Sequence, residues 1–309
     1  MSEPRRAAPD LVIAGAARSG TSSLAARLGE HPAIDPGAVK EPNYYSRHHD
    51  RGDEWYDGLF QPRLPGVLRM DASVSYTFPQ HPDALRRLAV AAPDVRVVYA
   101  VREPLTRTQS HYSLYHNYFQ IEPSETFGLG LANNPIFAGT SDYAHWLDQL
   151  DAHFPRGRVL VVPFSAVIDD DEVALRLVCE RFLDIAAPPR AEQVARAFQN
   201  QVVTFRSDAL RRTSRMLRRS RFYPGVRRWV GPHRLRQVRR LVTREPPKSD
   251  QAKMLGTCTA EQKEELGALA ERGRRAVTEW LLEQDARTGV PLAEYWQREN
   301  AAAVDRSLE

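Results

Sequence analysis

The sequence predicts an α/β protein: a P-loop-like, doubly wound central parallel sheet flanked by helices, followed by an arginine-rich, mainly helical C-terminal lobe or lid. Three observations carry that prediction. Apolar runs at Leu11–Ala14, Val95–Val101 and Val159–Pro163 alternate with amphipathic stretches of helical length, as buried parallel strands joined by helical crossovers require. The first run leads directly into a turn bracketed by Gly15 and Gly20 and then into a helix start at Thr21, Ser22 and Ser23. From Ala186 the composition changes, and positions 206 to 244 hold fourteen arginines, no lysine and a single acid, Asp208.

The remaining composition bounds the possibilities. At 309 residues, 42% hydrophobic and 27% charged, the chain has the balance of a globular protein with a full core. No apolar run approaches the about 18 residues needed to cross a bilayer, and the start of the chain lacks the long apolar stretch of a secretory signal. Two cysteines far apart, Cys179 and Cys258, give no metal-ligand spacing and point to a reducing, cytoplasmic setting. Residues 1–10 are expected to be a flexible leader. Residues 11–309 are expected to form one domain: a core over 11–185, an arginine-rich insert or lid over 186–260, and a C-terminal helical segment over 261–309.

The first turn is the chemical centre. N–H groups at the start of a helix lack intrahelical partners, and the helix dipole favours negative charge there. Thr21, Ser22 and Ser23 add hydroxyl donors, and Arg18 adds a fixed charge. A terminal phosphate or phosphosulfate fits such a cradle. The spacing departs from a nucleoside-triphosphate loop, because Thr21 stands where that motif carries its lysine. The dinucleotide pattern G-x-G-x-x-G is absent.

Two further stretches complete a set. Lys40-Glu41-Pro42-Asn43-Tyr44-Tyr45-Ser46 follows the first helix, and the strand ending in Arg102 is followed by Ser110 eight residues later. With the first loop, these resemble the PAPS-dependent sulfotransferases, above all the branch holding the heparan sulfate N- and O-sulfotransferases and their bacterial relatives. The resemblance covers most of 11–185. It implies PAPS as donor, PAP as product and no metal. It implies that Arg18, Ser19, Gly20, Thr21, Ser22 and Ser23 bind the phosphosulfate, that Arg102 and Ser110 bind the 3′-phosphate, and that Glu41 is the general base. A plain surface pair between Lys40 and Glu41 is the ordinary alternative for that glutamate, and an ion pair with Glu103 or Asp94 is the alternative for Arg102. His48 and His49 rank behind Glu41 as bases.

Asp71-Ala72-Ser73 stands where the heparan sulfate enzymes often carry Glu-Lys-Ser/Thr, so a lysine is replaced by Ala72. Arg18 is then expected to carry more of the developing charge. Tyr44, His48, Asp71 and Ser73 are candidate acceptor contacts, with Asp71 holding a substrate amine or a loop N–H. The acceptor implied is a small molecule, glycoside or polysaccharide.

The other elements follow from periodicity. A strand is expected within 66–75, helices at 83–92, from Pro104, at 141–154, 172–183 and 261–284, and a docked terminus at Leu292–Trp296. Residues 122–139 are expected to be loop-rich and to form part of the acceptor mouth; 248–259 resembles the loop before that family's last helix. The arginine segment, with Phe222, Tyr223 and Trp229 interleaved, is expected to close over anionic cofactor or substrate, ahead of a solvated face and of nucleic acid. A kinase with a degenerate P-loop and a nonenzymatic nucleic-acid binder are the alternative functions.

Overall fold

A computed structural model describes residues 8–187, 204–205, 243–244 and 250–308. The chain divides into two compact units. One comprises Met1–Thr108, Pro135–Gln199 and Glu264–Glu309, the other Gln109–Asn134 and Asn200–Lys263.

The first unit is built on a five-stranded sheet in the order β2-β3-β1-β4-β5. Its strands are β1 (Leu11–Gly15), β2 (Ile34–Asp35), β3 (Leu68–Asp71), β4 (Arg96–Val101) and β5 (Val159–Pro163). Every pairing is parallel. The strands β1, β4 after Arg96, and β5 read as apolar runs because both faces are covered, with β1 and β5 buried throughout; the interior strand β3 carries the polar Arg69 and Asp71. The chain runs from β1 out to β2, returns to β3, then crosses β1 to β4. The carboxyl ends of β1 and β4 therefore flank the point where the winding reverses, which is where open α/β sheets bind ligands.

Helix α1 (Thr21–Leu28) turns Leu24, Ala25 and Leu28 into the core. Two short helices follow, α2 (Asp53–Asp57) and α3 (Ala84–Ala91), and then α4 (Pro104–Ser113), which begins at a proline whose missing N–H costs nothing at that position. The boundary between the two units falls inside α4, after Thr108. Helix α7 (Tyr143–His153) buries Tyr143, Trp146, Leu147 and Leu150, the face expected from their spacing. The helix Ala260–Thr288 covers the edge of β5: the Gln284 amide donates to the Val161 carbonyl (2.9 Å) and accepts from the Val161 N–H (2.8 Å). An edge strand's exposed backbone is thereby satisfied by one buried side chain. The C-terminal helix Leu292–Leu308 docks through Leu292 and Trp296, both fully buried.

In the second unit, α4 continues as a π-helical turn at Leu114–Phe119. Residues 122–139, expected as loop, are instead largely helical, with α5 (Phe127–Asn133) in this unit and α6 (Ile136–Gly139) in the first. The Thr126 hydroxyl caps α5 by accepting from Leu129 N. Of the glycines that lower its helix propensity, Gly128 serves packing: a Cβ there would lie 2.3 Å from the Thr257 carbonyl oxygen. Residues 250–256, also expected as loop, form a helix. Most of the arginine segment, with Phe222, Tyr223 and Trp229, lies outside the described residues; Thr204–Phe205 and Thr243–Arg244 pair as a short antiparallel ribbon.

Gln284→Leu would leave both Val161 backbone groups buried without partners and is expected to lower stability by on the order of 2 kcal/mol. Gln284→Glu retains the acceptor and should lose less than the leucine variant at acidic pH. Urea unfolding of the three proteins at matched pH checks the ranking.

Candidate anion-binding and proton-transfer site

The turn after β1 is shaped by backbone conformation. Arg18 and Gly20 both take positive φ, 75° and 83°. Gly15 (φ 150°) has no room for a side chain, since a Cβ there would meet the Thr77 hydroxyl at 2.2 Å. Thr77 holds the strand end by donating to the Ala14 carbonyl (2.9 Å). The Ala16 N–H donates to the Ala100 carbonyl of β4 (2.7 Å), which ties the start of the turn to the neighbouring strand. The helical ladder of α1 begins with Ser23 N–H on the Gly20 carbonyl (3.0 Å). The N–H groups just ahead of it face the N-terminal end of the helix, whose first turn contains no acid.

Three arginines converge on this turn. Arg102, at the carboxyl end of β4, donates to the Arg18 carbonyl (3.4 Å). Its guanidinium lies over the Phe164 ring at 4.4 Å, and its backbone is clamped by the Tyr143 hydroxyl, which donates to Arg102 O (2.7 Å) and accepts from Arg102 N (3.0 Å). Arg107, one turn into α4 and fully buried, donates to the Ala17 carbonyl (3.2 Å), to the Ser141 hydroxyl (2.5 Å) and to the Phe137 carbonyl. Burial pushes Arg18 down to about 10, and the charges of Arg102 and Arg107 add to the effect. Burial likewise pushes Arg107 down to about 10, with the Tyr143 and Tyr99 hydroxyls opposing and Arg102 contributing. Like charges gathered at the N-terminus of a helix raise the positive potential there, which favours an anion. Glu103 pairs with Arg274 (2.9 Å) and Asp94 with Arg158 (2.9 Å).

The carboxylate of Glu299, on the C-terminal helix, accepts from Glu103 N (2.8 Å) and Ser165 N (3.1 Å). It thereby joins the segments that follow β4 and β5. Burial pushes this carboxyl up, against the opposing effect of those N–H donors and of Arg102.

The segment carrying Glu41 lies against α1. Lys40 Nζ is 2.6 Å from Glu41 Oε1 and 3.0 Å from Ser22 Oγ, with both charged side chains about one-third exposed (36% and 38%). The surface pair is thus present, and it is also tied to the cradle. Behind it stands a rigid scaffold. Asn43 N–H donates to the Ser73 hydroxyl (2.8 Å), and the Asn43 amide donates to the Glu41 carbonyl (2.7 Å). Tyr44 stacks on Tyr56 (4.5 Å, 10° between planes) and donates to Asp53 (2.6 Å).

Asp71, with no exposed surface, accepts from Tyr56 (2.7 Å) and Tyr76 (2.6 Å) on one oxygen. This carboxylate, expected as an acceptor contact, therefore organises the tyrosines under Glu41. Ser73 is likewise fully buried, and Tyr44 nearly so. His48 is half-buried, edge-on to Trp55 (5.7 Å).

The structure thus assembles Arg18, Ser19, Gly20, Thr21, Ser22, Ser23 and Arg102 about one turn, with Ser19 fully buried, and brings Glu41 to its rim through Lys40. Ser110 lies buried on the part of α4 that belongs to the second unit. Sequence reading passed over Arg107, Lys40 and Glu299. An arginine inside a helix was the available signal for Arg107; nothing local marks Glu299.

Residues 38–189 match the sulfotransferase family. The chain is 31% identical over 172 residues to the mouse heparan sulfate glucosamine 3-O-sulfotransferase 6, covering 54% of this chain and 49% of that protein. It is 30% identical over 126 residues to the bifunctional heparan sulfate N-deacetylase/N-sulfotransferase 1 of Caenorhabditis briggsae, covering 39% of this chain and 14% of that one. The chain spans about half the length of the first of these relatives. The fold is similar to that of a sulfotransferase from Alicyclobacillus acidocaldarius, with a TM-score of 0.50 and 24% identity over 58% of this chain and 82% of the other.

Burial pushes the Asp71 carboxyl above its ordinary 3.8, although Ser73, Tyr76 and Tyr56 oppose the shift by hydrogen bonding. The folded state therefore holds this proton more tightly than the unfolded state, and Asp71 contributes a loss of stability as pH rises above that ordinary value. Asp71→Asn keeps a carbonyl oxygen for both tyrosines and carries no charge. Its stability relative to the native protein should increase from pH 4 to pH 7, as read from unfolding midpoints.

Proposed function

We propose, from the match of residues 38–189 to the sulfotransferase family, that this chain transfers a sulfuryl group from PAPS to a hydroxyl or amine of a carbohydrate or other small acceptor, releasing PAP. The observation that carries the reading is the convergence of Arg18, Arg102 and Arg107 on the N-terminus of α1, a site suited to an anion with several negative charges.

In this reading the turn from Gly15 to Ser23 binds the phosphosulfate, and Arg102 takes the 3′-phosphate. Ser110 is retained as a donor-binding residue on sequence grounds. Glu41 accepts the proton of the acceptor as its oxygen or nitrogen bonds to sulfur. The bond from sulfur to the bridging phosphate oxygen breaks, and its electron pair stays on PAP. Arg18 and the N–H groups of α1 stabilise the charge that grows on that oxygen, which lowers the barrier because they are already oriented. Arg107 holds the Ala17 carbonyl and so fixes the turn that carries Arg18. No metal or redox cofactor is required by this chemistry, because the donor arrives activated.

The heparan sulfate relatives support a carbohydrate acceptor. A cytoplasmic location is part of the proposal, consistent with two buried, free cysteines. Among the described residues no helix is long and apolar enough to cross a membrane.

Glu41→Gln should reduce turnover by about 10²-fold or more while PAP affinity stays near that of the native chain. Arg18→Ala should reduce both turnover and PAP affinity. Calorimetry with PAP and a PAPS-dependent assay over an acceptor panel test this. Tight ATP binding with PAP ignored, or native rates in Glu41→Gln, would overturn the assignment.

A further inference from the structure

Lys40 touches both the helix start of the anion cradle and the carboxylate at its rim. Adjacent charged residues in an extended segment ordinarily project to opposite sides of the backbone. Lys40 and Glu41 instead come within 2.6 Å of each other, and the same ammonium reaches Ser22 Oγ, eighteen residues back, at 3.0 Å. Pro42 stiffens the backbone immediately after the pair and is itself buried. Asn43 fixes it further through its N–H on Ser73 and its amide on the Glu41 carbonyl. The pair is therefore held at one place by buried structure behind it, although its own ends are partly in water. A simple surface ion pair needs none of this support and contributes little to stability.

Ser22 stands in the first turn of α1, whose hydroxyls and N–H groups form the cradle. A lysine ammonium carries three donors. Ser22 and Glu41 accept two, which leaves a third for an oxygen arriving at the cradle. The guanidinium groups of Arg102 and Arg107 are fastened to the turn through the Arg18 and Ala17 carbonyls. Lys40, on a flexible stem and part-exposed, is a cation able to follow a group that moves.

We infer that Lys40 is a further donor-binding residue, which contacts the sulfuryl end of the donor over Ser22 and at the same time holds the Glu41 carboxylate facing it. The inference rests on the reading of the chain as a PAPS-dependent sulfotransferase. Lys40 thereby makes occupation of the cradle and placement of the base a single event. As the sulfuryl group moves from the phosphate oxygen to the acceptor, the Lys40 ammonium remains beside its oxygens. The acceptor proton passes to Glu41, and Lys40 neither gains nor loses one.

The test compares Lys40→Met, Lys40→Arg, Ser22→Ala and the double variant Lys40→Met/Ser22→Ala. Binding of PAPS, or of a nonhydrolysable analogue bearing its sulfuryl end, is measured by calorimetry, alongside binding of PAP, which lacks that end. Thermal midpoints of all four should lie within a few degrees of the native protein. Lys40→Met should weaken the sulfuryl-bearing ligand about tenfold, leave PAP within about threefold, and lower kcat as well as raise the donor KM. Lys40→Arg should recover most of the affinity, and the double variant should lose less than the product of the two single losses, because both act on one contact. If the native protein binds PAP and transfers sulfate but Lys40→Met binds both ligands like the native chain, the role of Lys40 is refuted and the sulfotransferase reading stands. If the native protein binds neither PAP nor PAPS, that reading itself fails.

Discussion

Arg107 spans the distance between a strand-to-helix turn and the elements around it. Its buried guanidinium reaches the Ala17 carbonyl inside the turn, the Phe137 carbonyl and the Ser141 hydroxyl. A charge without exposed surface is costly unless its donors are used, and here they are used to hold backbone and side-chain oxygens in fixed positions. The turn in question presents Arg18 and the first N–H groups of α1. Its conformation, with Arg18 and Gly20 at positive φ, has few internal hydrogen bonds of its own. The site's shape consequently depends on a side chain that lies behind it and need never touch a ligand.

The same division of labour recurs under Glu41. Asp71, Tyr56, Tyr76, Tyr44 and Ser73 are buried, and they bear the weight of the segment that ends at Lys40 and Glu41. Polar side chains deep in the fold set positions, while partly exposed ones at the rim remain for chemistry. This explains why several residues of attractive chemical type are not at the surface: in a low-dielectric interior a satisfied hydrogen-bond network gives more rigidity than apolar packing alone.

The legible parts of the fold were those encoded locally. The apolar runs of β1, β4 and β5 and the glycine-bracketed turn can be read within a window of ten residues, and so can Arg102 at the end of its strand. The two-residue β2 has too little sequence to leave a pattern. Helix α5 was hidden by its two glycines, of which Gly128 answers to a neighbouring backbone rather than to helix propensity. Asp71 could equally have faced solvent; its burial is decided by Tyr56 and Tyr76, fifteen and five residues away. Arg107 and Glu299 act across 90 and 196 positions, and no local window contains such information. What escaped the sequence was therefore the long-range support of the turn and of the Glu41 segment.

Glu299 bears on the order in which the molecule can be completed. Its two backbone partners, Glu103 and Ser165, sit in the first two-thirds of the chain. On a ribosome, which delivers the chain from its beginning, the strands and the glycine turn are available long before this carboxylate. Until position 299 has emerged, the stretches leaving β4 and β5 lack the brace between them. A nascent chain can thus hold the turn and both strand ends in order and still lack the clasp that the helix bearing Glu299 supplies.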